Sequence, residues 1–271
     1  DEGFKTMKTM TRIIQLSVLL VAACSMSAAV ACTTGAWSGG VTGDPAPLGD
    51  TPETALPRVS GVCAMTLTDT GSVKDESPVG EDEVYIRFYV LGDLSEETVI
   101  FEAFSNDSAA DGTELISITF DGANFVFDAG AGASPDVPGK PLVAGKPGWN
   151  MIQLSWLKND TMAYAVNADT SEIQTGSVAA TDDFMESVIL GTEADLNALG
   201  DKLIFDDYES HRETPVAGLL MGDVNGSGAL SIADVIGLFN ELNGTLATGQ
   251  PDCNSSGSIS IADVICLFNN L

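Results

Sequence analysis

The sequence predicts a mainly β protein, an antiparallel sandwich followed by a small C-terminal α-helical module. Three observations predict it. Between about Val84 and Tyr208, short segments rich in β-branched and aromatic residues alternate with turn residues, the pattern of half-buried strands. Helical periodicity is nearly absent from that stretch. Beyond Ala217 the composition changes: no Lys or Arg follows Arg212, and a 29-residue repeat sets apolar residues at helical spacing.

Taken in order, the chain opens on a processing segment, residues 1–31. Lys8 and Arg12 form a basic flank to the apolar run Ile13 to Ala23, which is too short to span a bilayer as a helix. Ala29-Val30-Ala31 offers a cleavage site before Cys32. Within the same stretch Val21-Ala22-Ala23-Cys24 has the form of a lipobox, which would place a lipid on Cys24 and anchor the protein at a membrane. Both alternatives carry the protein out of the cytoplasm, as a secreted or cell-surface chain. Export favours disulfides. With Cys24 removed or lipidated, Cys32, Cys63, Cys253 and Cys266 allow three connectivities; the pairing Cys32–Cys63 and Cys253–Cys266 keeps each bridge inside one domain.

Residues 32–213 form the expected sandwich, beginning with a Gly-, Pro-, Thr- and Asp-rich irregular loop from Gly39 to Arg58. The strand candidates are Val84–Val90, Thr98–Phe104, Leu115–Phe120, Asn124–Phe127, Trp149–Trp156, Met162–Asn167, Ser187–Gly191 and Lys202–Tyr208. Asp121-Gly122 reads as a hairpin turn, and Lys158-Asn159-Asp160 as the connection across which two of the strands pair. A linker, 214–221, leads to the module at 222–271.

Charge narrows the partners. The chain of 271 residues has 11 Lys+Arg against 39 Asp+Glu, a net of −28, so nucleic acid and anionic lipid are poor candidates. His211 is the one histidine, which removes Ser-His-Asp and Cys-His catalysis and histidine-bound metal. It is expected in an exposed linker after the last strand. Glu81-Asp82-Glu83 reads as a solvated turn, while Asp206 and Asp207 should straddle the two faces of their strand. Trp149, Trp156 and Tyr164 have two readings, core residues or a sugar-stacking platform, and the core reading is the commoner.

The repeat carries the sharpest chemistry. Gly222–Leu242 aligns with Pro251–Leu271, with 14 of 21 positions identical. Each copy opens on a loop that matches the twelve-residue calcium template. In the first, Asp223, Asn225 and Ser227 supply side-chain oxygens, Ala229 a backbone carbonyl, Ser231 a water, and Asp234 the closing carboxylate. In the second, the roles fall to Asp252, Asn254, Ser256, Ser258, Ser260 and Asp263. Gly228 and Gly257 take the sharp turn. A hard cation asks for six or more oxygens at short range, and alternating loop residues can aim them inward. Two Ca²⁺ sites are expected. Ile232, Val235, Ile236, Phe239 and Leu242, and their equivalents Ile261, Val264, Ile265, Phe268 and Leu271, should form the faces buried between two helices.

A loop with an exit helix but no entering helix, opening on Gly222-Asp223-Val224-Asn225-Gly226-Ser227-Gly228, resembles the type I dockerin module, an EF-hand-like unit. The resemblance implies a cohesin-like partner docking on Ile232, Ala233, Ile261 and Ala262. Asn240-Glu241 and Asn269-Asn270 replace the basic pair usual near the helix end. Ser227 and Ser256 stand where dockerins usually have Asp, which implies weak sites of about 10⁻⁴ M. The sandwich, through Gly148-Trp149-Asn150, Val188-Ile189-Leu190-Gly191 and Phe205-Asp206-Asp207-Tyr208-Glu209-Ser210, resembles the laminin-G-like modules among the concanavalin-A-like jelly rolls. That family implies binding or adhesion, with glycan one ligand class, but fixes no chemistry. The closely spaced Glu-x-Asp-x-x-Glu strand of jelly-roll glycosidases is absent. The expected function is therefore an exported, non-catalytic binding or assembly protein with a calcium-stabilised tail, associated with extracellular polysaccharide. The alternative is a glycan-degrading hydrolase with its active site in the sandwich.

Overall fold

The computed structural model describes residues 37–43, 45–48, 59–60, 64–106, 112–139, 148–167, 173–212, 222–225, 227, 229–244, 250–254, 256 and 258–271. The expected processing segment 1–31, Cys32, Cys63 with their expected bridge, and the expected linker 214–221 lie outside the described residues.

Alternating burial builds two seven-stranded antiparallel sheets. The first runs, edge to edge, β1 (Val41–Gly43), β4 (Gly71–Asp75), β13 (Ser187–Thr192), β6 (Thr98–Phe104), β7 (Glu114–Phe120), β8 (Asn124–Asp128) and β9 (Val137–Pro138). The second runs β12 (Gln174–Ser177), β11 (Thr161–Val166), β10 (Asn150–Leu157), β5 (Glu83–Asp93), β14 (Lys202–His211), β3 (Ala64–Leu67) and β2 (Ala46–Leu48). Strand β10 shows the logic most plainly: its residues alternate buried and half-buried along all eight positions, as one face turns to the core. Phe88 of β5 stacks on Phe101 of β6 with ring centroids 5.5 Å apart, joining the sheets through one core that also takes Ile152, Trp156, Leu190 and Phe205. The expected antiparallel sandwich is present.

Both expected connections form as well. Strands β7 and β8 pair with Phe120 opposite Phe125, and Asp121 Oδ1 accepts from the amides of Ala123 and Asn124. Gly122 there has φ +89, and a Cβ would meet Leu94 O at 2.8 Å. Only glycine fits. Strands β10 and β11 pair across residues 158–160, with Trp156 opposite Met162.

Several edge elements differ from expectation. The stretch read as an irregular loop contains β1 and β2, and β3 and β4 precede the first strand expected. These are three to five residues long, too short for alternation to register. They are held instead by distant partners, such as Val41 opposite Val73 and Ala46 opposite Thr66. Pro47 is tolerated because β2 is an edge strand. A four-residue helix, α1 (Leu196–Leu199), precedes β14.

A second apolar layer covers the outer face of the second sheet, where Val59, Ala64, Tyr89, Leu91, Trp149 and Ile204 pack with Met151. Trp149 and Trp156 therefore serve opposite faces of the sheet. At 1% and 0% exposed, with Tyr164 at 3%, they are core residues and not a platform.

The tail folds around its own apolar cluster. Helices α2 (Ile232–Leu242) and α3 (Ile261–Asn269) bury Val235, Leu238, Val264 and Leu267 with Val224, Cys253 and Ile259. The face differs in part from expectation. Ile232, Ile236 and Phe239, like Ile261, Ile265, Phe268 and Leu271, are between 43% and 60% exposed. The reason lies at the first turn. Asp234 and Asp263 are fully buried, which turns the helical positions next to and four residues beyond them inward, and the second apolar stripe to solvent.

Candidate functional site

Each tail helix starts on a serine whose extended backbone ends the loop. Ser231 Oγ accepts from the amide of Ala233 and donates to Asp234 Oδ2 at 2.8 Å, while the Ser231 amide donates to the same oxygen at 2.9 Å. This capping box satisfies helix-start amides that would otherwise lack partners. The other oxygen, Asp234 Oδ1, accepts from the amide of Asn225 at 3.2 Å. One carboxylate thus clasps both ends of the loop. Copy two repeats it: Asp263 Oδ2 accepts from Ser260, Oδ1 from the Asn254 amide at 3.2 Å, and Ser260 Oγ accepts from Ala262.

Opposite that clasp stands the loop's first carboxylate. The Ser227 amide donates to Asp223 Oδ1 and to Asn225 Oδ1, both at 2.9 Å, and Ser227 Oγ donates to the Ala229 carbonyl at 3.1 Å. In copy two the Ser256 amide donates to Asp252 Oδ1 and Asn254 Oδ1, and Ser256 Oγ to the Ser258 carbonyl. Oxygens of five of the six expected ligand positions in each loop thereby share one short network. The sixth, Ser231 or Ser260, spends its hydroxyl on the helix cap. The two loops meet at their openings, where the Gly222 amide donates to Gln250 O and the Gln250 amide to Asp223 O.

Whether a divalent cation fits can be judged from charge. Asp223 is 3% exposed, and Asp234, Asp252 and Asp263 are 0% exposed. Among the described residues, Asp234 and Asp263 accept from backbone amides and the capping serines alone. No basic side chain follows Arg212 in the sequence. Buried carboxylates want a compensating charge, and two per loop match one divalent ion. The donor set is all oxygen, the preference of Ca²⁺. Among the described residues no three His, Cys, Asp or Glu side chains gather as a metal group, so any ion here relies on neutral oxygens for the rest of its shell. Cys253 and Cys266 are joined by a disulfide with Cα atoms 6.0 Å apart. The proposed docking residues Ile232, Ala233, Ile261 and Ala262 are all exposed.

On the sandwich, Asp206 and Asp207 do not straddle their strand as regular alternation implies. Pairing of β14 with β5 slips between Asp206 and Glu209, and Asp207 takes φ +50. This bulge brings both carboxylates to one place. Asp206 Oδ2 accepts from the amides of Val59 and Ser60, and Asp207 Oδ1 from Ser60 Oγ. The Arg87 guanidinium, buried, donates to Asp207 and to Glu209. Burial pushes the Asp206 carboxyl up to about 7; the Ser60 and Val59 amides oppose the rise and the Asp207 charge adds to it. His211 is a strand residue, paired with Glu209 at 2.8 Å, not a linker one. Of the acidic turn, Glu83 belongs to β5 and accepts from Tyr85 Oη.

The same bulge exposes a feature the sequence did not mark. It adds a residue between Phe205 and Tyr208, so both turn toward the core. Tyr208 Oη donates to Asp75 Oδ2 at 3.1 Å, and its ring lies 4.9 Å from that of Trp37. Asp75 Oδ1 accepts from Ser38 Oγ and from the Ser77 amide. Trp37, Ser38, Asp75, Ser77 and Tyr208 line an open cavity of about 400 Å³. No local motif announces it, because its walls come from β4 and the residues just after it, β14, and the residues before β1.

No protein-family profile and no curated protein matches this chain. Among solved structures it is similar to the receptor binding domain of botulinum neurotoxin C/D mosaic serotype, at 10% identity and TM-score 0.44, over 64% of this chain and 44% of that one. The botulinum neurotoxin type G receptor binding domain gives 11% identity and TM-score 0.41, over 64% and 44%. The endo-β-1,4-glucuronan lyase from the fungus Trichoderma reesei gives 12% identity and TM-score 0.43, over 64% of this chain and 90% of that one. The chain spans less than half the length of the toxin domains it matches.

Proposed function

We propose that this is an exported, non-catalytic binding or assembly protein whose sandwich takes a glycan and whose tail is a calcium-stabilised, dockerin-like module. The observation that carries the tail reading is the doubled loop. Two copies independently bring a buried carboxylate pair, an asparagine, a serine and a backbone carbonyl to the start of a capped helix, and the sequence around them offers no basic side chain. Asp223, Asn225, Ser227, Ala229 and Asp234 would hold one Ca²⁺; Asp252, Asn254, Ser256, Ser258 and Asp263 would hold the other. Calcium supplies the positive charge that lets each carboxylate pair stay buried. With two carboxylates per site the affinity belongs with extracellular modules, about 10⁻⁴ M.

The exposed pairs Ile232-Ala233 and Ile261-Ala262 suit a partner of the cohesin kind, met through either copy. On the sandwich, the hydrogen bonds that tie Asp206 and Asp207 to Val59, Ser60 and Arg87 suit a structural clasp better than an acid–base pair. Calorimetric titration with Ca²⁺ tests the tail. Two sites are expected in the wild type, one in Asp234→Asn or Asp263→Asn, and none in the double variant. Equal heats in all four proteins, or helicity unchanged by EDTA, would reject calcium. Release of reducing sugar from any polysaccharide tested would reject the non-catalytic reading in favour of a hydrolase.

A further inference from the structure

The cavity at Trp37 is not accounted for by the tail or by the acidic clasp, and its chemistry is specific. Of the three tryptophans, Trp149 and Trp156 are buried, whereas Trp37 is only partly so. It stands at the cavity wall, held by Tyr208. The other lining groups are polar: the Asp75 carboxylate, itself only 8% exposed, and the serines at 38 and 77. The volume, about 400 Å³, falls at the small end of ligand pockets of roughly 300–1,000 Å³.

From these observations we infer that the Trp37–Asp75–Tyr208 cavity is a binding site for an uncharged sugar residue. The inference rests on the proposed glycan-binding role of the sandwich and gives it a place and a ligand class. A pyranose presents a C–H face and a rim of hydroxyls. The face suits an indole flank, and the rim suits a carboxylate that can only accept. Burial works against ionisation of Asp75, but hydrogen bonds from Ser77, Ser38 and Tyr208 outweigh it and hold its pKa below the ordinary range. The carboxylate accepts from Ser38 Oγ, the Ser77 amide and Tyr208 Oη, with the Ser77 side chain a further donor, so the hydroxyls at 38, 77 and 208 form the polar rim together with it.

Charge sets the discrimination. Of the basic groups nearby, Lys74 pairs with Glu76 at 2.7 Å, and Arg212 pairs with Glu81 at 3.3 Å and donates to Ser77 Oγ, its Nη1 finding no partner among the described residues. An ionised Asp75 inside a chain of net charge −28 therefore disfavours uronic and sialic acids.

The buried state of the other two tryptophans makes acrylamide quenching a reporter on Trp37. The full chain, with calcium present, is titrated with cellohexaose, maltohexaose and mannohexaose, and with oligogalacturonate of equal length. At least one neutral oligosaccharide should shield the fluorescence from quenching, and oligogalacturonate should bind at least tenfold more weakly. Trp37→Ala and Asp75→Asn should each weaken the neutral ligand tenfold or more by calorimetry, with near-ultraviolet circular dichroism reporting their folding. Shielding in the wild type needs no variant, so a variant that misfolds leaves the test intact. If a neutral sugar binds but leaves Trp37 unshielded, the cavity is the wrong place and the glycan role of the sandwich stands. If oligogalacturonate binds as well as the neutral sugars, the charge argument fails. If no sugar of the panel binds, both the cavity and the glycan reading fall.

Discussion

At the scale of single residues, a glycine-free left-handed turn has the widest effect. Asp207 at φ +50 is what brings Asp206 and Asp207 to the same segment and turns Tyr208 inward. Alternation along β14 predicts the opposite faces for these side chains, because a bulge is set by pairing across the sheet rather than by the local sequence. The contacts within the two proposed calcium loops are legible for the converse reason: they follow from spacing within a dozen residues. Asp206 also gives the fold a pH dependence. Its carboxyl, pushed up to about 7 by burial, binds a proton in the folded chain between about pH 4 and 7, where the unfolded chain, with an ordinary aspartate, does not. Stability from this group is therefore present at low pH and lost as pH rises through about 7. The urea midpoint of the wild type should fall between about pH 5 and 8 by more than that of Asp206→Asn, and parallel pH profiles would show that burial does not govern this group.

Among the elements, long strands were readable and short ones were not. Strand β6 begins and ends where its alternation does, at Thr98 and Phe104, and β5, β7, β8, β10, β11 and β13 begin and end within three residues of their expected bounds. Strands β1 to β4 exist because distant partners hold them. The tail helices were found by their period, but the side they bury only in part, since two apolar stripes compete and the capping aspartates decide between them. The disulfide adds a covalent tie to α3 alone. It closes a loop over a sequence separation of 13, and a loop of that size contributes about 3 kcal/mol when formed. Cys253→Ser with Cys266→Ser should lower the unfolding free energy of the tail by about that amount, read from the helical circular dichroism signal in urea. A change confined to the β signal would place the bridge's effect elsewhere.

For the molecule as a whole, the apolar residues fall into clusters that do not mix sandwich and tail residues. The composition changes over the same stretch, with basic residues ending at Arg212 while acidic ones continue. Scanning calorimetry should therefore resolve two transitions. EDTA should lower the one that carries the helical signal and leave the β transition within about a degree, because a ligand stabilises only the state that binds it. A single transition that moves as one with EDTA would contradict this division.

The near identity of the two tail copies makes their few differences informative. Val224 and Gly237 occupy in the first copy the places that Cys253 and Cys266 occupy in the second. A Cβ built on Gly237 would sit 3.5 Å from that of Val224, inside the span that a cystine bridges. The first copy is thus already shaped for a bond it does not contain, and a crosslink can be transplanted from one half of a duplicated unit to the other. Val224→Cys with Gly237→Cys should oxidise spontaneously, lose both free thiols to Ellman's reagent, and hold helix α2 folded in EDTA. Persisting thiols in the folded protein would mean that the two halves have drifted further apart than their backbones indicate.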